Sequence, residues 1–558
     1  MDNRKKIFAA TEGELQDMQR KEVTIGENSV LLAKLDGKYY ATSNKCTHYG
    51  AKLTEGTFSS DGRIMCKWHG ACFNVKTGDI EDAPALDNLV KFEVSVEDGN
   101  VYVHVNENVL EQARQRPRCV KRDPTESETV VIIGGGASGA AAAQKLREEG
   151  FKGRIRIVSR EDYYTIDRIK LSKQFGIDDI NKITLRPKSF WDDLDVEFQL
   201  NTDAVDVKPE LKQVLLSNAD TWTYDHLILA SGGWPKKLGL SGENLNNVFT
   251  IRMVQNNQEI SKVIEKVKNE EGRKANLVIV GSSFIGMEYA SAANDNANVT
   301  VVGKDKIPFT AVLGERIGST MMKFHESKGV NFVMGVNIVG FKPKANDPSA
   351  VGFVSVEGHD DIPADLVLMA VGVAPQTDYI KSSKLSQAED GSLEVDQYFK
   401  VKGTDNIYAS GDIATFPYQH TGEKLRIEHW GFAENTGRTV AMNIMKKNRP
   451  FTHVPYFWTA HYGTTLRYAG FAKSFDDVIV QGELDDLEKL SFVGYFAKGD
   501  TILAIASYMK DPIVSYCAEL LRIGKMPSAS DIRNGVDPLN ISLEVPFEGQ
   551  SKRADGSS

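Results

Sequence analysis

Two stretches of this chain follow one plan: an apolar strand, a glycine-rich turn and a helix of small residues. The first is TVVIIGGGASGAAAAQKLREEG at 129–150, and the second is NLVIVGSSFIGMEYASAANDN at 276–296. A strand that feeds through glycines straight into a helix specifies a nucleotide-binding β-α-β unit, because a phosphate can approach the helix N-terminus there. Two copies restrict the chain to paired Rossmann-like α/β domains, each on a parallel sheet. In the first copy Gly134, Gly136 and Gly139 have G-x-G-x-x-G spacing. Gly134 makes the turn, Gly136 admits a pyrophosphate, and Gly139 lets helix pack on strand. In the second copy Gly281 and Gly286 hold the outer positions, while Ser283 replaces the middle glycine and crowds the anion.

The strand after each unit ordinarily ends in an acid that binds a ribose. After IRIVS that position is Arg160, with Glu161 one residue late. Either Glu161 reaches the ribose through a longer turn or Arg160 stacks on an adenine. After VTVV the strand ends in Gly303, with Lys304 and Lys306 beyond it. Losing the acid and gaining lysines removes repulsion against a 2′-phosphate, which tilts the nicotinamide nucleotide toward NADPH. If the lysines merely face solvent, NADH stands equally.

Near the N-terminus, CTHYG carries Cys46 and His48, and CKWHGACF carries Cys66 and His69. Zinc fingers usually pair like ligands, Cys with Cys and His with His. Here each fragment supplies one of each, which suits a Rieske [2Fe–2S] centre: two thiolates hold one iron and two imidazoles the other. Gly50 and Gly70 directly follow the two pairs and would let backbone approach the sulfides.

A chain of 558 residues is too long for one core and implies three or four domains. Its net charge of −9 argues against a nucleic-acid partner, which demands a basic face. Five cysteines, with no Cys-x-x-Cys, do not form a disulfide framework; Cys72, Cys119 and Cys517 read as reduced thiols. The N-terminus lacks the apolar run of a secretory signal, and no stretch approaches the roughly 18 to 20 apolar residues of a membrane span. Cytoplasm is the expected location.

Further motifs carry a resemblance. TDNIYASGDIA at 404–414, with Gly411 and Asp412, resembles the second flavin motif of FAD/NAD(P)H reductases, where the aspartate bonds the ribitol chain. LILASGGWP at 227–235 and LVLMAVGVAPQT at 366–377 resemble the crossings between that family's FAD and NAD domains. DRIKLSK, GSSFIGME, HWGFAENTGR and VPYFWTAHYGTTLRYAGF resemble the apoptosis-inducing factor family, in its Rieske-containing branch. The resemblance implies that Arg168, Lys173, Arg252, Glu428, His429 and Trp458 line the flavin. It implies that Lys173 and Glu288 pair beside N5, and that Phe284 covers the nicotinamide side. For Trp458 and His429 a core aromatic and a structural histidine are the alternatives. Ile169 stands where relatives often have proline, so a looser turn is expected there. High-potential Rieske domains carry an extra cysteine in each loop; Ala51 and Trp68 occupy those positions here, which implies a low-potential centre.

The expected organisation is multidomain: an all-β Rieske domain over 1–107, a linker over 108–128, an FAD domain over 129–251 and 376–450, an NAD(P)H domain over 252–375, an α+β domain over 451–545, and a disordered tail over 546–558. Disulfide reductases on this scaffold need a thiol pair beside the flavin, and its lack leaves the Rieske centre as the outlet. The expected activity is a fused reductase and ferredoxin. Electrons pass from NAD(P)H through FAD to the cluster and on to an unknown acceptor, possibly a protein. The alternative is a cell-death effector of the family's kind with a redox-sensing role. The resemblance also leaves a mitochondrial location open, and the C-terminal domain is a candidate for homodimer formation.

Overall fold

Asp-Gly pairs set the N-terminal hairpins. Asp36 and Gly37 have φ of 51° and 71°, and Asp98 and Gly99 have 49° and 74°, the left-handed pair that a two-residue turn between twisted strands demands. In this computed structural model, which describes residues 4–545, the hairpins build a six-stranded antiparallel sheet. Its order is Lys5–Thr11, Asn100–Val105, Lys91–Glu97, Lys38–Ser43, Asn28–Leu35 and Arg20–Ile25. The sheet starts well before residue 20, where the alternating pattern becomes readable. The first strand buries only the small Ala9 and Ala10, too little for the sequence to announce it. A four-stranded sheet, Thr57–Phe58, Arg63–Met65, Cys72–Asn74 and Ile80–Asp82, completes this domain. The tail at 546–558 lies outside the described residues.

Both glycine-turn units sit in parallel sheets. The first has the order Val196–Gln199, Arg154–Val158, Thr129–Ile133, His226–Leu229, Ile407–Ala409. The second has the order Val248–Phe249, Leu366–Met369, Ala275–Val280, Ala297–Gly303, Asn331–Met334. Its edge strand begins before residue 252, the expected boundary. Gly233–Pro235 and Val373–Pro375 pair antiparallel where the chain crosses between the two sheets. The segment at 108–128 opens with the helix Glu107–Gln112 and then lies pinned along the domain of the first parallel sheet. Val120 N donates to Arg147 O and Asp123 N to Lys152 O.

The last domain is a five-stranded antiparallel sheet, from Tyr456–His461 to Asp477–Glu483, with the helix Ile513–Arg522. The Rieske domain is fastened to it by buried charges. The Arg63 guanidinium meets Glu519 at 3.2 Å, Glu81 at 2.6 Å and also Asp82, which in turn binds His453. Gly70 lies so close to the Tyr456 ring that a Cβ there would come within 2.7 Å of it.

Candidate functional site

The two ligand loops are the same turn used twice. Cys46 N donates to Ala51 O and Gly50 N to Cys46 O, each at 2.8 Å. Cys66 N donates to Ala71 O at 2.8 Å and Gly70 N to Cys66 O at 3.2 Å. Gly50 and Gly70 close these turns at φ of +82° and +75°, a conformation that favours glycine. The loops bring Cys46 and Cys66 into side-chain contact, and His48 Nδ1 lies 3.1 Å from His69 Nδ1. Cys66 is held below the ordinary thiol range by its bond with Cys46, with the Trp68 and His69 amides adding to the effect. Burial pushes His48 down to about 4 and His69 to about 2, so both imidazoles are neutral and keep the lone pairs a metal needs. Among the described residues no three His, Cys, Asp or Glu side chains converge as on one ion. Two separate pairs, one of sulfur and one of nitrogen, fit the donor set of a two-iron cluster.

A cavity of about 340 Å³ opens at the first glycine turn, against the N-terminus of the helix Ala137–Glu148. Gly134 has φ +113° and a Cβ there would strike Ala230 O at 2.2 Å, whereas Gly136 has nothing within 4 Å. A Cβ on Gly139 would lie 2.0 Å from Gly134 O, so helix and turn can meet only at glycine. Arg160, Glu161, Arg168, Lys173, Arg252, Gly411, Asp412, Glu428, His429 and Trp458 all face this cavity with Gly134 and Gly136, and Phe284 and Glu288 reach it from the second domain. Gly281, Gly286 and Lys304 do not. Gly281 has φ +110° at the second turn, Gly286 packs against it, and Lys304 is exposed beyond. Arg160 pairs with Asp203 at 2.5 Å and lies over the Trp234 ring, while Glu161 is held by Arg168 at 2.6 Å. Burial beside Arg168 pushes Arg252 down to about 10, an under-compensated cation suited to an anionic ligand. Asp412 and Glu428 are raised by burial, and Glu428 takes an ion pair from Arg426 at 2.5 Å. His429 is pushed down to about 4 by burial, and its Nδ1 has no protein partner. Open backbone at a helix N-terminus, buried cations and an orphaned imidazole in one cavity fit a dinucleotide cofactor.

Lys173 and Glu288 meet at 2.7 Å, with side chains 16% and 5% exposed. Two partners of Glu288 escape sequence reading: Thr459 donates to Oε1 at 2.7 Å, and Ser172 donates to Oε2. Each flanks a residue singled out from sequence, Trp458 and Lys173, and adjacency is the only signal they leave. Trp458 joins the two sites. Its indole lies 4.3 Å from the His69 ring and 5.7 Å from the His48 ring, centre to centre, and also faces the cavity.

Residues 128–437 match the family described as pyridine nucleotide-disulphide oxidoreductase, and residues 5–93 match the Rieske [2Fe-2S] domain. Apoptosis-inducing factor 3 of Homo sapiens is 36% identical over 519 residues, covering 92% of this chain and 83% of that protein. Rhodocoxin reductase of Rhodococcus erythropolis is 29% identical over 360 residues, which covers 64% of this chain and 81% of the reductase. A ferredoxin reductase from Rhodopseudomonas palustris superposes with a TM-score of 0.66 and 25% identity, covering 77% of this chain and 100% of that one. Fold, cavity and matches together define an FAD-dependent NAD(P)H oxidoreductase carrying a Rieske domain, whose cofactors are FAD, NAD(P)H and a [2Fe–2S] cluster. The chain belongs to the apoptosis-inducing factor 3 family. Among the described residues no helix is long and apolar enough to cross a membrane.

Proposed function

We propose that this chain is a fused reductase and ferredoxin, taking electrons from NAD(P)H by way of FAD to its own Rieske centre and on to a separate protein acceptor. The observation that carries the reading is the place of Trp458, between the flavin cavity and the two cluster histidines. The flavin, when bound, converts a two-electron hydride donor into a source of single electrons, which no side chain here could do.

In this reading the turn at Gly134, Gly136 and Gly139 receives the flavin's pyrophosphate, and Glu161, oriented by Arg168, receives its adenosine ribose. Arg160, taken up by Asp203 and Trp234, shields that end. Asp412 holds the ribitol, and Arg252, Glu428 and His429 position the ring system. Lys173, held in place by Glu288 at 2.7 Å, stabilises negative charge developing on the reduced ring. Phe284 guards the nicotinamide face, with Gly281, Gly286 and Lys304 binding the nicotinamide nucleotide. Cys46, Cys66, His48 and His69 hold the cluster.

The test is anaerobic reduction with stoichiometric NADPH, then separately NADH, followed by the flavin absorbance and the low-temperature electron paramagnetic resonance signal. Flavin bleaching followed by a Rieske-type signal supports the route and ranks the two donors. Bleaching while an intact cluster stays oxidised overturns it.

A further inference from the structure

From the Lys173–Glu288 pair a line of buried polar side chains leads away to Tyr462. Thr459, which donates to Glu288 Oε1, lies 3.1 Å from His461 Nε2. The His461 and His325 rings meet edge to face, 5.0 Å between centres, and His325 Nδ1 lies 3.0 Å from the Tyr462 hydroxyl. Tyr462 occupies the tight turn after the strand Tyr456–His461, half-buried and next to the exposed Gly463. His461 and His325 are 1% and 0% exposed, yet His461 Nδ1 and His325 Nε2 form no hydrogen bond, not even with each other, although the Met287 backbone lies against His461. Unpaired polar atoms are rare in a packed core, so two on adjoining rings call for an explanation.

The two orphans are not hydrogen-bonded to each other, so a hop between them requires one ring to swing toward the other. They complement each other in either direction of the line. If Tyr462 donates to His325 Nδ1, His325 carries its proton on Nε2. If His461 then donates from Nε2 to Thr459, its Nδ1 is a bare acceptor. Reversing every bond makes His461 Nδ1 the donor and His325 Nε2 the acceptor. A line that can be read both ways is what transfer by successive hops requires. Burial holds both rings well below the ordinary histidine range, His461 at about 3, so they would pass a proton between neutral tautomers without resting as cations.

The overall chemistry supplies a proton to move: NAD(P)H plus two oxidised one-electron acceptors gives NAD(P)+, two reduced acceptors and one proton. We propose that Lys173, Glu288, Thr459, His461, His325 and Tyr462 form the conduit that carries this proton from the flavin cavity to the surface. The proposal rests on the electron route put forward above. Neither His325 nor Tyr462 faces the cavity, so neither is needed to bind the cofactor.

The test uses the holoenzyme and the variants Tyr462→Phe and His325→Gln. Each protein is reduced anaerobically with one equivalent of NADPH and then mixed with ferricyanide, with flavin recovery and a pH-indicator dye followed together. In the wild type the proton should appear in step with flavin recovery. In both variants it should lag about tenfold or more, the solvent isotope effect should rise, and bleaching by NADPH should stay within about twofold of wild type. Independently of turnover, the dithionite-reduced minus oxidised infrared spectrum of the wild type should hold, beside the bands of His48 and His69, further isotope-labelled histidine bands that weaken in Tyr462→Phe. That variant keeps the ring and preserves the test if His325→Gln does not fold. Proton release at the wild-type rate in the variants, or a labelled-histidine difference spectrum that Tyr462→Phe leaves unchanged, overturns the conduit alone. Flavin bleaching with no cluster signal in the wild type overturns the electron route, and the conduit with it.

Discussion

The indole of Trp458 stands 4.3 Å from the imidazole of His69, ring centre to ring centre, in the wall between the large cavity and the two Cys–His pairs. Replacing it by leucine removes the aromatic surface between the two sites. In Trp458→Leu the cluster signal should follow flavin bleaching at least about tenfold more slowly than in the wild type, equivalent to about 1.4 kcal/mol of barrier. Freeze-quench spectroscopy after mixing with NADPH reads the interval directly, and an unchanged interval would exclude Trp458 from the path.

Cluster and flavin should separate by mutation. Cys46→Ser or His69→Asn removes one ligand of a two-pair site and should abolish bound iron. The dinucleotide cavity lies in another domain, so flavin content should persist. Iron assay and flavin absorbance on the same sample decide it, and loss of flavin alongside iron would mean that the two domains fold as one unit.

Arg63 is the most heavily committed side chain at the Rieske interface, with Glu519, Asp82 and Glu81 around it. Arg63→Met leaves Glu519 with Arg522 and Asp82 with His453 as their remaining buried partners and should cost about 3 kcal/mol, measured from denaturant unfolding. Asp82 is held far below the ordinary value of 3.8 by Arg63 and His453, which together outweigh its burial. A carboxyl depressed in this way contributes stability above pH 3.8 that is lost as pH falls below it. The wild type should therefore lose more stability than Arg63→Met when the pH is lowered from 5 to about 3.

Glu434 has the opposite sign. It is 4% exposed, its Oε2 has no partner, and burial, with Asp167 adding, raises its pKa well above 4.5. The unfolded chain releases this proton above pH 4.5 while the folded chain keeps it, so the residue costs stability increasingly as pH rises. Glu434→Gln should stabilise the protein by about 1–3 kcal/mol at pH 8 and have little effect at pH 4. Equal shifts in the melting transition at both pH values would contradict this account.

The glycine turns, the Cys–His pairs and the Gly411–Asp412 motif were legible because each depends on residues close together along the chain. A turn that only glycine can make leaves its mark at a fixed spacing. The first strand, Lys5–Thr11, was not legible before the sheet was seen, since two buried alanines carry no alternating pattern. Thr459 and Ser172 are ordinary in sequence and matter only because Glu288, on another domain, comes to lie beside them. Arg160 is a sharper case. The sequence offered Arg160 stacked on adenine or Glu161 on the ribose, and only folding showed Asp203 and Trp234 around the Arg160 guanidinium.

The sequence by itself determined the kinds of domain and singled out the Cys–His pairs, because nucleotide turns and close Cys–His pairs are local chemistry at short spacing. Only the tertiary structure decided that Trp458, His69 and the flavin cavity adjoin, and that Arg63 finds Glu519 more than four hundred residues away. Those relationships depend on how three domains pack, through buried charges and side-chain shape that no local pattern encodes.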